Sequence, residues 1–449
     1  MRIGFFGKKM LPELPKLTEF WRFALTNRVF KGKISGYIEE FKEEIIMKMK
    51  KILGLSLAAA MALSLGACGD SASSSNSASG SGNTGTSADS GETAEGGTLK
   101  IGGIGPLTGD NAAYGLAVQR GAQIAVDEIN AEGGINGMTV EFSMEDDVSD
   151  AETSVNAYNS LKDWGMQMLL GTVTSAPCIA VVAETADDNM FQLTPSGTAV
   201  ECLGDAGNAF RVCFSDPSQG TASADYISEN SLGENIGIIY NSSDPYSTGI
   251  YENFVSEATS LGMSIVAEEA FTDDSKSDFS VQLQKCQDAG ADLLFLPIYY
   301  QEASLILQQA SNMGFAPSFF GVDGMDGVLT VENFDTSLAE GVMLLTPFAA
   351  NSEDENVQAF VSAYQEQYGE TPIQFAADAY DGIYAIKLAA EQAGITADMS
   401  ASDICDAMKT AMTEIELVGV TGTIRWTEDG EPDKEPMAVV IENGEYVTM

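Results

Sequence analysis

Residues 169–198, LLGTVTSAPCIAVVAETADDNMFQLTPSGT, hold the unit from which the fold of the chain can be read. They divide into a strand (Gln167 to Leu170), a loop of small residues, a helix, a second strand (Met190 to Leu193) and another small-residue loop. In the helix, Ala180, Val181 and Ala183 supply an apolar side, and Glu184, Asp187 and Asp188 an acidic one, as an amphipathic element requires. Each strand ends in a loop rich in hydroxyls and unhindered backbone. The first holds Gly171, Thr172, Thr174 and Ser175; the second holds Thr194, Pro195, Ser196, Gly197 and Thr198. Open parallel sheets bind ligands just beyond the carboxyl ends of their strands. Two such loops make a mostly neutral cradle of donors, suited to a small anionic group such as a carboxylate. The plainer reading is that these Ser and Thr only cap helices, and the rest of the chain must separate the two.

Working outward, the alternation continues. Leu99 to Ile104 is a strand running into Gly105-Pro106-Leu107-Thr108-Gly109. A helix from Tyr114 to Asn130 puts Val118, Ala122, Ala125 and Ile129 on one face, and a strand follows from Met138 to Met144. Glycines 103, 105 and 109 miss the dinucleotide fingerprint by one residue and enclose Pro106, so a nucleotide site is rejected. Downstream come strands at Ile236 to Tyr240, Ser264 to Ala267, Leu293 to Leu296 and Ser318 to Gly321. Between them lie helices at Thr248 to Leu261, around Phe279, Leu283 and Cys286, and around Ala303, Ile306, Leu307, Ala310 and Met313. Helices at about Glu355 to Tyr368, Phe375 to Gln392 and Ser402 to Met412 precede short strands at Gly422 to Trp426 and Ala438 to Ile441, with a hairpin turn at Asn443-Gly444. Repeated β-α-β units predict parallel sheets flanked by helices, too many for one sheet and therefore two lobes.

The start of the chain is different. Residues 1–46 carry mixed charges and no continuous apolar run, and read as upstream translation from a mis-chosen start. Residues 47–67 then form a signal peptide: Lys48, Lys50 and Lys51 are followed by an apolar core from Ile52 to Leu65, too short for a comfortable membrane span. The ending Leu65-Gly66-Ala67-Cys68 resembles a bacterial lipoprotein signal, with Cys68 taking the lipid. Residues 68–97 continue as a Ser/Gly-rich tether that cannot bury apolar area and reaches about 30 Å.

Composition closes several functional classes. The chain has 449 residues and a formal net charge of −44. Such a charge argues against nucleic acid as a partner and against attraction to anionic lipid. There is no His, which removes Ser-His-Asp and Cys-His nucleophile chemistry and His-based metal sites. The six Cys, at 68, 178, 202, 213, 286 and 405, include no CxxC pair. With Cys68 assigned to lipid, five remain, and buried free thiols are the default expectation.

IGGIGPLTGDNAAYG, GAQIAVDEINAEGGINGMTVEF, LLGTVTS, LTPSGT, NSSDPYSTG and FFGVDG occur in register across residues 98–449. In this the chain resembles the solute-binding proteins of branched-chain amino-acid transporters, the leucine/isoleucine/valine-binding type. The resemblance implies a periplasmic-binding-protein type I fold, α/β, with two doubly wound parallel-sheet lobes joined by three crossings. Lobe 1 would comprise 98–216 and 347–421, and lobe 2 would comprise 217–346 and 422–449. The crossings would fall near Cys213 to Pro217, Thr346 to Phe348 and Val418 to Gly422. It also implies that Ser175 and Thr198, with backbone of Ser196 and Gly197, hold the ligand carboxylate. Asp323 would hold the ammonium, and Tyr114, Tyr246 and Tyr299 would close over the ligand. Val173 and Phe375 would touch its side chain. Two departures stand out: Asp323 where many amino-acid binders carry Glu, and no disulfide near the first hydroxyl loop, where Val148, Ser149 and Thr174 stand instead.

The resulting expectation is a lipid-anchored binding protein, not an enzyme, with no cofactor and no metal. It would be a monomer on the outer face of the cell membrane, delivering an amino acid to the permease and ATPase subunits of an ABC importer. Alternatives are the same fold binding a small amide, urea or an aromatic acid, a ligand sensor for a membrane receptor, and an extracellular hydrolase working through carboxylates. A zwitterion leaving water needs donors for its carboxylate and an acceptor for its ammonium, so Asp323 favours the amino acid.

Overall fold

The computed structural model describes residues 96–449 apart from Glu435. The expected upstream extension, signal peptide and lipidated Cys68, and the expected tether as far as residue 95, lie outside the described residues. The first sheet contains β1 (Thr98–Gly105), β2 (Thr139–Asp146), β3 (Met168–Gly171), β4 (Gln192–Thr194) and β5 (Ala209–Arg211). Its order is β2-β1-β3-β4-β5, parallel throughout. Helices α1 (Ala112–Ala131), α2 (Ala151–Trp164) and α3 (Ser175–Asp188) connect the first four strands. The opening stretch is thus β3-α3-β4, as its pattern predicts, with each strand displaced toward its C-terminal end by one or two residues.

After β5 the chain enters α4 (Asp216–Glu229) and builds a second sheet. Its strands are β6 (Asn235–Asn241), β7 (Ser264–Phe271), β8 (Leu293–Leu296), β9 (Ser318–Gly321) and β10 (Met343–Thr346). Helices α5 (Pro245–Ser260), α6 (Ser280–Asp288) and α7 (Tyr300–Met313) link them up to β9. The chain then makes α8 (Glu355–Tyr368), α9 (Gln374–Ala393) and α10 (Ala401–Met412), with α9 packed on α1. A small hairpin follows, β11 (Leu417–Gly419) with β12 (Gly422–Ile424), and then β13 (Met437–Glu442) and β14 (Glu445–Thr448). The second sheet has the order β14-β13-β10-β9-β8-β6-β7. It is parallel from β7 to β10 and antiparallel at β13 and β14. Both sheets belong to α/β, doubly wound architecture. Among the described residues, no helix is long and apolar enough to cross a membrane.

Local chemistry accounts for these elements. LLFL in β8 and MLLT in β10 are buried at every position, because helices cover both faces of a parallel sheet. Asp150 caps α2 by accepting from Thr153 N, and Gly165 ends it in the left-handed region. Asn443 and Gly444 both take positive φ, 55° and 77°, which the tight turn between β13 and β14 demands. Helix α4 has almost no apolar stripe: it buries Gln219, Gly220, Ser223, Ala224 and Ile227. Its close partner is α5, since a Cβ on Gly220 would stand 2.6 Å from Ile250 O.

The end of the chain departs from the expected crossing at Val418 to Gly422. Those residues form the β11–β12 hairpin, whose turn donates Val420 N and Thr421 N to the buried Asp381 of α9 at 2.9 and 2.8 Å. Gly430 O then accepts from Arg211 N beside β5 at 3.1 Å, and the second sheet is joined only at Met437. A long-range carboxylate pins the hairpin, and nothing in the local periodicity signals it.

Candidate functional site

In the first sheet the strand order reverses between β1 and β3; in the second it reverses between β6 and β8. Crevices beyond the carboxyl ends of strands at such switch points are where α/β sheets bind ligands. The loops after β3 and β4 carry Val173, Ser175, Ser196, Gly197 and Thr198. Those after β6, β8 and β9 carry Tyr246, Tyr299 and Asp323.

On the hydroxyl side, Ser175 is the first residue of α3, at the positive end of the helix. Its Oγ is 3.5 Å from Thr198 Oγ1 and accepts from Ala199 N at 3.2 Å. Ser196 Oγ donates to Val173 O at 2.7 Å, and Gly197 N donates to Thr194 Oγ1 at 2.8 Å, so these two serve the loops' own bonding. Arg211, fully buried at the end of β5, holds the second loop from behind. It donates to Gly197 O (3.0 Å), Thr198 O (2.5 Å) and Ala199 O (3.1 Å), and its Nε is 3.2 Å from Glu431. The guanidinium fork fixes three successive carbonyls at once.

On the acidic side, Asp323 Oδ1 accepts from Tyr246 OH and from Gly324 N, both at 2.7 Å. Gln219 and Gln374 fix its backbone, Oε1 accepting from Asp323 N and Nε2 donating to Asp323 O. Burial pushes this carboxyl up to about 6, although the Tyr246 and Gly324 hydrogen bonds pull it down. Tyr246 stacks on Tyr299, centroids 4.6 Å apart and planes 7° apart. Tyr299 meets Tyr114 edge-on at 5.8 Å, and Tyr114 stacks on Phe375 at 4.1 Å. Tyr114 OH also donates to Gly324 O and accepts from Tyr300 N. Tyr114 and Phe375, on helices beside the first sheet, are thereby joined to the loops of the second. Val173 packs against Gly105 of β1, beside the same loops.

One acid that reading the sequence passed over sits between the two sides. Asp216, the first residue of α4, is buried, and its N donates to Thr198 O at 2.9 Å. Neither of its carboxylate oxygens accepts a hydrogen bond of good geometry, the neighbouring Thr198 hydroxyl included. A Cβ on Gly249 of α5 would stand 2.7 Å from Asp216 Oδ2, so only glycine leaves this carboxylate its place. Burial and the negative Asp323 and Asp244 hold its pKa well above the ordinary range. A buried carboxylate without a partner calls for a proton or a cation. In sequence, Ser215-Asp216-Pro217 reads as an ordinary helix start, which hid it.

A polar cavity adjoins Tyr299 and Thr174. It measures about 200 Å³ and is lined also by Asp110, Asn111, Asp244 and Glu302 among others. Lys276 spans it, 2.8 Å from Asp110 of one half and 3.7 Å from Glu302 of the other.

Residues 98–445 match the family model described as periplasmic binding protein. The Leu/Ile/Val-binding protein homolog 1 of Brucella abortus is 27% identical over 335 residues, covering 74% of this chain and 86% of that protein. The crystal structure of LivJ from Streptococcus pneumoniae, a branched-chain amino acid transporter substrate-binding protein in complex with isoleucine, matches with a TM-score of 0.71 at 29% identity. That match covers 78% of this chain and all of LivJ (100%). A benzoate-bound solute-binding protein from R. palustris shares the fold at 19% identity and a TM-score of 0.69, covering 78% of this chain and 95% of its own.

Proposed function

We propose, from the premise that this chain belongs to the periplasmic binding protein family and is a solute-binding protein of the branched-chain amino-acid ABC-transporter type, that it captures an aliphatic α-amino acid between its two sheets. The observation that carries this reading is Asp216: a buried carboxylate with neither oxygen satisfied, bonded through its backbone to the Thr198 loop and electrostatically coupled to Asp323. An ammonium answers that demand, and the paired hydroxyls of Ser175 and Thr198 answer a carboxylate. Tyr246 and Tyr299 would close over the ligand's backbone atoms. Tyr114, Phe375 and Val173 would meet its side chain, which favours an apolar one. A benzoate-like acid lacks the cation and would leave Asp216 and Asp323 uncompensated.

We assign lobe 1 to the first sheet with α8 to α10 and the β11–β12 hairpin, and lobe 2 to the second sheet. The protein would work as a monomer held to the outer face of the membrane through lipid on Cys68, handing its ligand to the permease. Calorimetry with leucine, isoleucine, valine and alanine, beside N-acetyl-leucine, benzoate and a neutral amide such as isovaleramide, tests the ligand. Binding of at least one free amino acid, with N-acetyl-leucine inert, is expected. Binding of benzoate or a neutral amide with no amino acid bound would overturn the reading. Cys68→Ala should release the protein from membranes, and a membrane-bound, unacylated wild type would refute the anchor.

A further inference from the structure

Of the five cysteines described, all buried free thiols, two touch each other. Cys178 stands on the first turn of α3, three residues after Ser175. Cys202 stands on the single 3₁₀ turn Val200–Leu203, four residues after Thr198. Both are fully buried. Cys178 Sγ lies 3.8 Å from Cys202 O, and Cys202 Sγ lies 3.7 Å from Ser175 O. Cys178 Sγ is thus seated on the backbone of Cys202, and Cys202 Sγ on the first turn of the helix that carries Cys178. Cys213, Cys286 and Cys405 belong to other parts of the fold: the chain between β5 and α4, helix α6 and helix α10.

The geometry points to a disulfide between Cys178 and Cys202, formed as the exported chain folds, that ties the two hydroxyl loops of the binding site to each other.

Three features support it. First, the thiols share a small apolar cluster with Ala199 and Ile179. Second, the space around them is already cut to the sulfur: a Cβ on Gly197 would come within 3.0 Å of Cys178 Sγ. Third, in the folded protein the two thiols act directly on each other: hydrogen bonding from Cys202 holds the Cys178 thiol below the ordinary range against its burial, while burial pushes Cys202 up.

The chemistry balances with an external disulfide as oxidant, such as an extracytoplasmic thiol–disulfide oxidase or oxidised glutathione. The Cys178 thiolate attacks one donor sulfur, and the donor's other sulfur leaves as a thiolate. The Cys202 thiolate then attacks Cys178 Sγ and expels the remaining donor thiolate. Two protein thiols have lost two protons and two electrons, and the donor disulfide has become two thiols. Because both sulfurs are sealed in the folded protein, the exchange belongs to folding outside the cytoplasm, the compartment where disulfides persist. The setting rests on the export reading; the pairing does not depend on which ligand binds. A bond here closes a loop that holds Thr198 and starts three residues after Ser175, and a cross-link of that kind restricts the unfolded chain and raises stability.

The full chain is folded in a buffer of oxidised and reduced glutathione, quenched in acid, and alkylated under denaturing conditions before a non-reducing peptide map. The expected result is one linked peptide pair, Cys178 with Cys202, and alkylation of Cys213, Cys286 and Cys405. Reduction before the thermal scan should lower the melting midpoint of wild type by a few degrees and leave Cys178→Ser/Cys202→Ser unmoved. Full alkylation of all five after oxidative folding, or a link from either residue to Cys213, overturns the proposal. The peptide map needs no ligand, so failure of the amino-acid reading would leave this result intact.

Discussion

Asp323→Asn is the perturbation that most directly tests the amino-acid site. The substitution keeps the shape of the side chain and removes its charge. Tyr246 OH and Gly324 N both donate to Oδ1, so the new amide would turn its oxygen to those two donors. Its NH₂ would then face the ligand ammonium, donor against donor. Removing one partner of a buried charge pair costs about 2–5 kcal/mol. Since 1.4 kcal/mol is about a factor of ten, affinity should fall at least about thirtyfold. The wild-type carboxyl, pushed up to about 6 by burial, adds a second readout. The ammonium prefers the ionised form, so binding drives off the proton. Affinity should be full near pH 7.5 and weaker by about tenfold at pH 5, one unit below that pKa. Asp323→Asn should flatten that part of the slope. Calorimetry at both pH values, in buffers of different ionisation enthalpy, measures affinity and proton release together. Tight, wild-type-like binding by Asp323→Asn of an amino acid that wild type binds would refute the ammonium role.

Three further outcomes follow from the same contacts. Gly249→Ala would drive a methyl to 2.7 Å from Asp216 Oδ2, so ligand affinity should drop while circular dichroism stays native; unchanged affinity would remove Asp216 from the site. Lys434 donates to Asp378 Oδ1, Val212 O and Thr421 Oγ1 with its side chain only 3% exposed, so Lys434→Met should cost about 3–5 kcal/mol in denaturant unfolding, and Asp378→Asn added to it should recover much of the loss. The ligand-free protein should melt higher near pH 5 than at pH 8. Burial raises Asp147 and Asp378 to about 7 and Asp323 and Asp326 to about 6, against about 3.9 unfolded. The folded state therefore binds the extra protons, and that stability is lost as pH rises through 6 and 7; a midpoint that climbs from pH 5 to 8 would contradict these shifts.

What was legible in the sequence was whatever repeats locally. Strands such as Leu293–Leu296 and Ser318–Gly321, and the helix Glu355–Tyr368, coincide with their expected limits because apolar runs and periodicity fix them. Helix α4 was not legible, because it packs on α5 through glycine and small polar residues in place of an apolar stripe. The last crossing was misplaced because Asp381, some 40 residues upstream of the hairpin it binds, holds the turn by two backbone donors. The candidate site divides in the same way. Ser175, Thr198, Asp323 and the tyrosines stand in motifs. Asp216, Arg211 and Gln374 act only through partners far along the chain, and local pattern carries no trace of that.

The arrangement of charge also bears on how binding and closure are coupled. Tyr114 OH to Gly324 O and Lys276 to Asp110 are contacts that bridge the two halves. A hydrogen bond of that kind contributes about 0.5–1.5 kcal/mol and a half-exposed ion pair about 0.2–1 kcal/mol. Against them stand Asp216 and Asp323, desolvated and mutually repelling when the halves meet. An unpaired buried charge costs several kcal/mol, more than the bridging contacts return, unless the acids take up protons. On the proposed amino-acid reading, a bound ammonium would reverse the sign by compensating both carboxylates at once. A ligand shifts a two-state equilibrium only by its differential affinity for the two forms, and on that reading the difference would be concentrated in one cationic group.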